Sequence, residues 1–258
     1  MGVGTRTRFV RDHAPTKNHA QLVTLPTKKA ARIIGFLYLL VVIAGPFLLL
    51  YVPGKLFVPG DASATAAKIL AHESLFRTSI VIGLISELVF IAVVVGLYYL
   101  LKGVNQILAT AMVLLILIQA PLAFLGTANE VATLAFLRDA HHLSAFDGPQ
   151  RDAIVMLLIG FDHKGLLVSE LFWGLWLLPL GILVYRSWFI PRLLGAWLFV
   201  NGLAYIAISF TGILAPDHSN TVFTLSTPLL FGEMALMFWL LVFGVRARTP
   251  AVHAPLAT

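Results

Sequence analysis

From Ile33 to Val52 the chain reads IIGFLYLLVVIAGPFLLLYV, without one Asp, Glu, Lys or Arg. A helix of ~20 such residues spans the hydrocarbon of a bilayer. Comparable runs recur, and the sequence predicts six spans: about Arg32–Val52, Ser79–Leu101, Ile107–Leu137, His163–Tyr185, Arg192–Leu214 and Val222–Val245. In lipid only helices and closed barrels satisfy their own backbone groups. The expected fold is therefore all-α: a polytopic integral membrane protein, a six-transmembrane-helix bundle with short outer interfacial helices. Charged residues make up only 12% of the 258, about half the share of a soluble domain.

Three regions follow. Residues 1–28 read as a disordered basic cytoplasmic tail, 29–246 as the membrane domain and 247–258 as a second disordered tail. The basic start and long first run do not fit a secretory signal, whose apolar core is about 7–15 residues. Arg6, Arg8, Arg11, Lys17, Lys28, Lys29 and Arg32 precede the first span. With Lys102, Arg186, Arg192, Arg246 and Arg248 they hold most of the 18 Lys and Arg on one side of a six-span topology. By the positive-inside rule both termini are cytoplasmic. The basic tail, broken by Pro15 and Pro26, suits anionic lipid headgroups and not nucleic acid.

Two outer segments read as surface helices, near Ala62–Glu73 and Gln150–Gly160. In the first, Ala62, Ala66, Ile69 and Leu70 share an apolar face. In the second, with Pro149 at its first turn, the apolar side is Ala153, Met156, Leu157 and Gly160. Alternatively this second segment extends the fourth span outward.

The absence of cysteine excludes disulfides, iron–sulfur clusters, thiolate zinc sites and cysteine nucleophiles. No hydrolase or phosphate-loop motif occurs, and no cofactor is expected. What remains is a set of acids within apolar spans: Glu87, Glu130, Glu170 and Glu233. Such groups are costly in hydrocarbon and normally face the protein interior or water. Each lies on a small or polar stripe at helical spacing: Ser79, Gly83 and Ser86 beside Glu87; Gln119, Gly126 and Thr133 beside Glu130; Ser226 beside Glu233. His163 lies seven residues before Glu170, on the same face and ~10.5 Å above it. The fifth span adds Asn201, Tyr205 and Ser209 in register. His163, Asn201, Tyr205 and the four acids are thus the candidate ligand- or proton-binding residues. His163 and Glu170 are the best candidates for a metal. Asp162 and Lys164 read as anchors of a helix end, and the five tryptophans as lipid-facing or interfacial.

Several stretches carry a family resemblance: ARIIGFLYLLVVIAG, VPGDASATAAKILAHESLFR, LLKGVNQILA and YRSWFIPRLLGAWLFVNGLAY. From about Lys29 to Val245 the chain resembles the membrane proteins of domain-of-unknown-function family 4386. The resemblance implies a six-helix bacterial membrane protein and no particular activity. Many members carry an Arg three residues before the Gln of the third span, where this chain has Ile116 before Gln119.

Three functions compete. The first is binding or transport of a proton, cation or small cationic solute by an outward-facing acidic pocket. The second is a structural, accessory or sensor role. The third is a metal-dependent membrane hydrolase, although no catalytic residue is assigned and the balance leans away from an enzyme. The expected partners are the lipid bilayer and an unknown small ligand, with oligomeric state open.

Overall fold

The computed structural model describes residues 27–138 and 146–245, except the His163 side chain. Helix α1 (Lys28–Pro46) starts on Thr27, whose hydroxyl accepts from Ala30 N. Pro46 has no N–H to give the preceding turn, and the helix loosens there into a π-turn, Phe47–Tyr51, before α2 (Val52–Leu56) resumes it. The Gly45-Pro46 step is thus absorbed as a local change of pitch.

Gly60 follows with φ 78°, a left-handed turn, and Asp61 Oδ1 then caps α3 (Ala62–Ala71) at Ala64 N. Thr65, Ala66 and Ile69 are buried and Leu70 is 44% exposed, so the seated face is rotated from the expected one. The cause is the floor beneath α3: Ile69 packs in a cluster with Leu56, Phe76, Ile80 and Leu134, which set its orientation.

Helices α4 (Glu73–Leu101), α5 (Gln106–Arg138), α6 (Gly148–Arg186) and α7 (Arg192–Leu214) are each long and apolar enough to cross a membrane. Pro121 and Pro179 lie inside α5 and α6 without ending either. Helix α6 begins at a reciprocal capping box between Asp147 and Gln150. Nothing breaks it afterwards, so residues 150–160 are a continuous N-terminal extension of the fourth span and no separate surface helix forms there. Its inner face is also not the one expected. Val155 is fully buried, whereas Leu157 is 71% exposed and Ala153 and Gly160 are exposed. The segment stands against α5 and α3 instead of lying flat, which turns Val155 inward and Leu157 toward lipid.

The sixth span is broken. Helix α8 (Ser219–Ser226) and helix α9 (Gly232–Val242) flank Thr227-Pro228 and a 3-10 turn, Leu229–Phe231, with a bend of 53° across the break. Arg32 Nη2 donates to Val242 O at 3.0 Å, which sets the end of α9 beside the start of α1. Gly244, at φ 66°, closes α9 by donating to Trp239 O, in the same place. After five crossings, only a sixth returns the chain to that end. The bent pair therefore crosses the bundle and is not a re-entrant loop.

Helices α6 and α7 meet along four glycines. Gly174 opposes Gly202, and Gly181 opposes Gly195, a seven-residue repeat on each antiparallel helix. A Cβ on Gly174 would lie 2.6 Å from Gly202 O, and one on Gly181 would lie 2.8 Å from Phe199 N. Small residues let membrane helices approach backbone to backbone, where dispersion and weak hydrogen bonds hold them. The core itself, toward the α1–α9 end, is apolar: Leu97, Leu101, Met112, Leu180, Leu183 and Leu240 are inaccessible. Trp176 lies at its centre, edge-on to Phe90 with centroids 5.2 Å apart, and is no lipid-facing aromatic.

Candidate functional site

Depth along the bundle can be counted from the α1–α9 end at 1.5 Å per residue. Tyr38 lies ~15 Å along α1 and Glu233 ~14 Å back from the end of α9. The Tyr38 hydroxyl donates to Glu233 Oε2 in a short hydrogen bond. Glu233 falls in the first turn of α9, where aligned peptide dipoles place partial positive charge. The break in the sixth span puts that helix start inside the bundle. Glu233 is therefore near mid-depth, at a helix start that an unbroken span would not place there.

The break also frees backbone carbonyls, and α7 answers them. Asn201 Nδ2 donates to Leu230 O at 3.3 Å and Trp197 Nε1 to Leu229 O at 3.1 Å. Asn201 is fully buried, and its Oδ1 has no hydrogen-bond partner. One turn farther along α7, Tyr205 packs on Trp173 with centroids 5.8 Å apart. It stands within electrostatic range of both Glu233 and Glu170. Tyr38, Glu233, Tyr205 and Glu170 thus form one connected group reaching ~24 Å from the α1–α9 end.

At similar depth, ~20 Å, α4 and α5 contribute Glu87 and Gln119. Gln119 is buried, and Glu87 lies one turn beyond Phe90. Glu87 Oε1, Gln119 Oε1 and Glu170 Oε2 are all buried without a hydrogen-bond partner. No described contact joins Glu87 to Glu170.

A second acidic pair lies farther out, ~36 Å from that end. Glu130 on α5 faces Asp162 on α6 within electrostatic range, and Asn129 bonds Leu158 O at 2.8 Å beside them. Asp162 Oδ1 is buried without a partner, 3.9 Å from where a Cβ on Gly126 would sit. Glycine at 126 makes the space for this carboxylate. Asp162 is therefore more than a helix-end anchor, while Lys164 is exposed.

Part of the stripes turns inward, while a Cβ on Gly83 would meet nothing within 4 Å. Ser79, Gln119, Thr133, Asn201, Ser209 and Ser226 are all buried. Ser209 donates to Leu167 O at 2.6 Å, a bond between α7 and α6. Ile116, three residues before Gln119, is 1% exposed and packs in the apolar core. His163 lies on α6, but its side chain falls outside the described residues, as do His141 and His142. Among the described residues no three His, Asp or Glu side chains converge as a metal set would.

Among the described residues the ion pairs are those of Glu73 with Arg77 and Arg138, at the far end. Among the described residues no Lys or Arg forms an ion pair with Glu87, Glu130, Asp162, Glu170 or Glu233. Two crevices stand out, and neither is lined by these acids. One, of about 530 Å³, lies at the break, between Trp197, Phe223, Thr227 and Phe231. The other, of about 240 Å³, lies between α4 and α5.

Sequence reading missed Tyr38 entirely. Its signal was weak: a hydroxyl-bearing aromatic in mid-span, a position where Tyr normally finds a hydrogen-bond partner. Asp162 reads as a helix-end anchor from sequence because Glu130, which it faces, is remote in the chain.

An uncharacterised protein from Archaeoglobus fulgidus is 29% identical over 168 residues, covering 64% of this chain and 82% of its own length. No solved structure matches the chain. The model of the family described as domain of unknown function DUF4386 matches residues 33–244, and the chain belongs to that family.

Proposed function

We propose that this multi-pass membrane protein binds or transports a proton, a cation or a small cationic solute through its acidic interior. The carrying observation is the set of buried carboxylate oxygens without partners, on Glu87, Asp162 and Glu170, in an interior without Lys or Arg among the described residues. A buried carboxylate needs a compensating charge or a proton. Among the described residues no Lys or Arg pairs with these carboxylates, so a mobile positive charge fits the requirement. Access is from the end that carries Glu130 and Asp162, because the apolar layer around Leu97, Leu101 and Leu183 closes the other. By the distribution of Lys and Arg, the acidic end faces outward from a bacterial cytoplasmic membrane and both termini face the cytoplasm. On this reading the site opens outward past Glu130 and Asp162, and the apolar layer shuts its inner path.

The test uses purified protein with sodium, potassium, guanidinium and tetramethylammonium chlorides at constant ionic strength. Proteoliposomes loaded with a pH-sensitive dye report proton movement in parallel. We expect either a saturable rise in Tm with one cation or proton uptake after an external acid pulse. Either response should be abolished by Glu170→Gln. If no cation stabilises and no proton moves, the structural or accessory role replaces this reading.

A further inference from the structure

At the end of the bundle away from Lys28 and Val242, α4 and α5 part to leave a crevice of about 240 Å³. Its mouth holds Arg77 from α4 and Arg138 from α5, and its walls are Ile80, Val81, Val131 and Leu134. The two guanidiniums converge on one atom. Arg77 Nε donates to Glu73 Oε1 at 2.6 Å, and Arg138 Nη1 lies 3.2 Å from the same oxygen. Two cations over one carboxylate leave a net positive charge at the mouth. Both arginines stay more than half exposed, at 53% and 57%, with N–H donors turned to the surroundings.

Below them the chemistry changes within one turn. Val81 is 52% exposed and Val131 51%, on helices long enough to cross a membrane. A bilayer around these helices would set those faces against hydrocarbon, with Arg77 one turn and Arg138 two turns farther toward the headgroups. A cation in the last turn of α5 complements that helix's dipole, which accounts for Arg138 alone. It does not account for a second arginine from the neighbouring helix, nor for the open space between them.

We propose that this crevice is a binding site for an anionic phospholipid, independent of the acidic interior. The phosphate bridges Arg77 and Arg138, and an acyl chain lies against Val81 and Val131. Guanidinium forks match phosphate oxygens in paired, charge-assisted hydrogen bonds. Glu73 holds both forks at a fixed spacing, so the site is ordered before the lipid arrives.

Native mass spectrometry of the full chain in detergent tests this, with dioleoylphosphatidylglycerol titrated against dioleoylphosphatidylcholine. The anionic lipid should be retained at about tenfold lower concentration, and should raise Tm where the zwitterionic one does not. The double change Arg77→Gln with Arg138→Gln should erase that preference. Should that variant fail to fold, Val81→Trp keeps both charges, fills the crevice and should weaken retention equally. Equal retention of the two lipids overturns the proposal, as does a preference that survives both variants. Displacement of the lipid by millimolar inorganic phosphate would make this a free-anion site and would overturn the lipid assignment. A second copy of the chain seated in the crevice would overturn it too.

Discussion

Tyr38 donates its hydroxyl proton to Glu233 across 195 positions of sequence, tying the first span to the last. The bond lies deep in the bundle, at the inner limit of the connected acidic group. Tyr38→Phe keeps the ring, which packs on Phe90 with centroids 6.3 Å apart, and removes only the hydroxyl. It should cost about 1–3 kcal/mol, because Glu233 is left without its donor. Unfolding of the purified protein in detergent measures this. In a double-mutant cycle with Glu233→Gln, the two changes should be non-additive by at least ~0.5 kcal/mol. Strict additivity would mean the hydroxyl and the carboxyl do not act together.

The glycine seam gives a sharper contrast. Gly202→Ala puts a Cβ 2.8 Å from Gly174 O, between backbones that cannot yield without separating α6 from α7. A loss of about 1–3 kcal/mol is expected. Gly160→Ala meets nothing within 4 Å and should be neutral or slightly stabilising. Thermal melts of the two variants side by side check this, and equal effects would show that the seam does not hold the helices together.

Much of this architecture was legible in the sequence, because length and hydropathy alone decide what crosses a bilayer. Five spans follow from the apolar runs, and the inward stripes around Ser79, Gln119 and Asn201 follow from helical spacing. The parts not legible depend on distant partners. Leu157 and Val155 are equally apolar, and only contact with α3 and α5 decides which is buried. The seam of Gly174, Gly181, Gly195 and Gly202 lies on two helices at a seven-residue spacing, outside the four-residue pattern usually sought. Trp176 reads like any membrane tryptophan until Phe90 is placed against it. Pro228 could be seen as a possible kink, but not the carbonyls it frees or the side chains that meet them.

The chain has no cysteine, so single introduced cysteines report topology without background. Ser63, Gly103 and Gln150 are all exposed. A membrane-impermeant maleimide applied to intact cells should label cysteine at positions 63 and 150. Position 103 should label only after the membrane is opened. Labelling of 103 from outside would reverse the proposed orientation.

The α7 contacts with the broken span are testable by hydrogen exchange. Asn201→Leu removes the donor to Leu230 O, and Trp197→Phe removes the donor to Leu229 O. Each should cost about 1–3 kcal/mol. Each should speed amide exchange around residues 227–233 by about tenfold or more, while α4 is unchanged. Exchange that stays slow at the break would show that these side chains are not what stabilises it.

The break at Pro228 has a consequence for biogenesis. A straight apolar helix can enter a membrane on its own, because it carries all of its backbone partners with it. The last crossing here cannot: two of its carbonyls are satisfied by side chains of the helix synthesised just before it. Leaving the ribosome after α7, it enters a bilayer where Trp197 and Asn201 already stand. Insertion of the final crossing is therefore templated by its predecessor. A chain shortened after α7 should still thread five helices, whereas one lacking α7 should leave its last segment stranded at the surface.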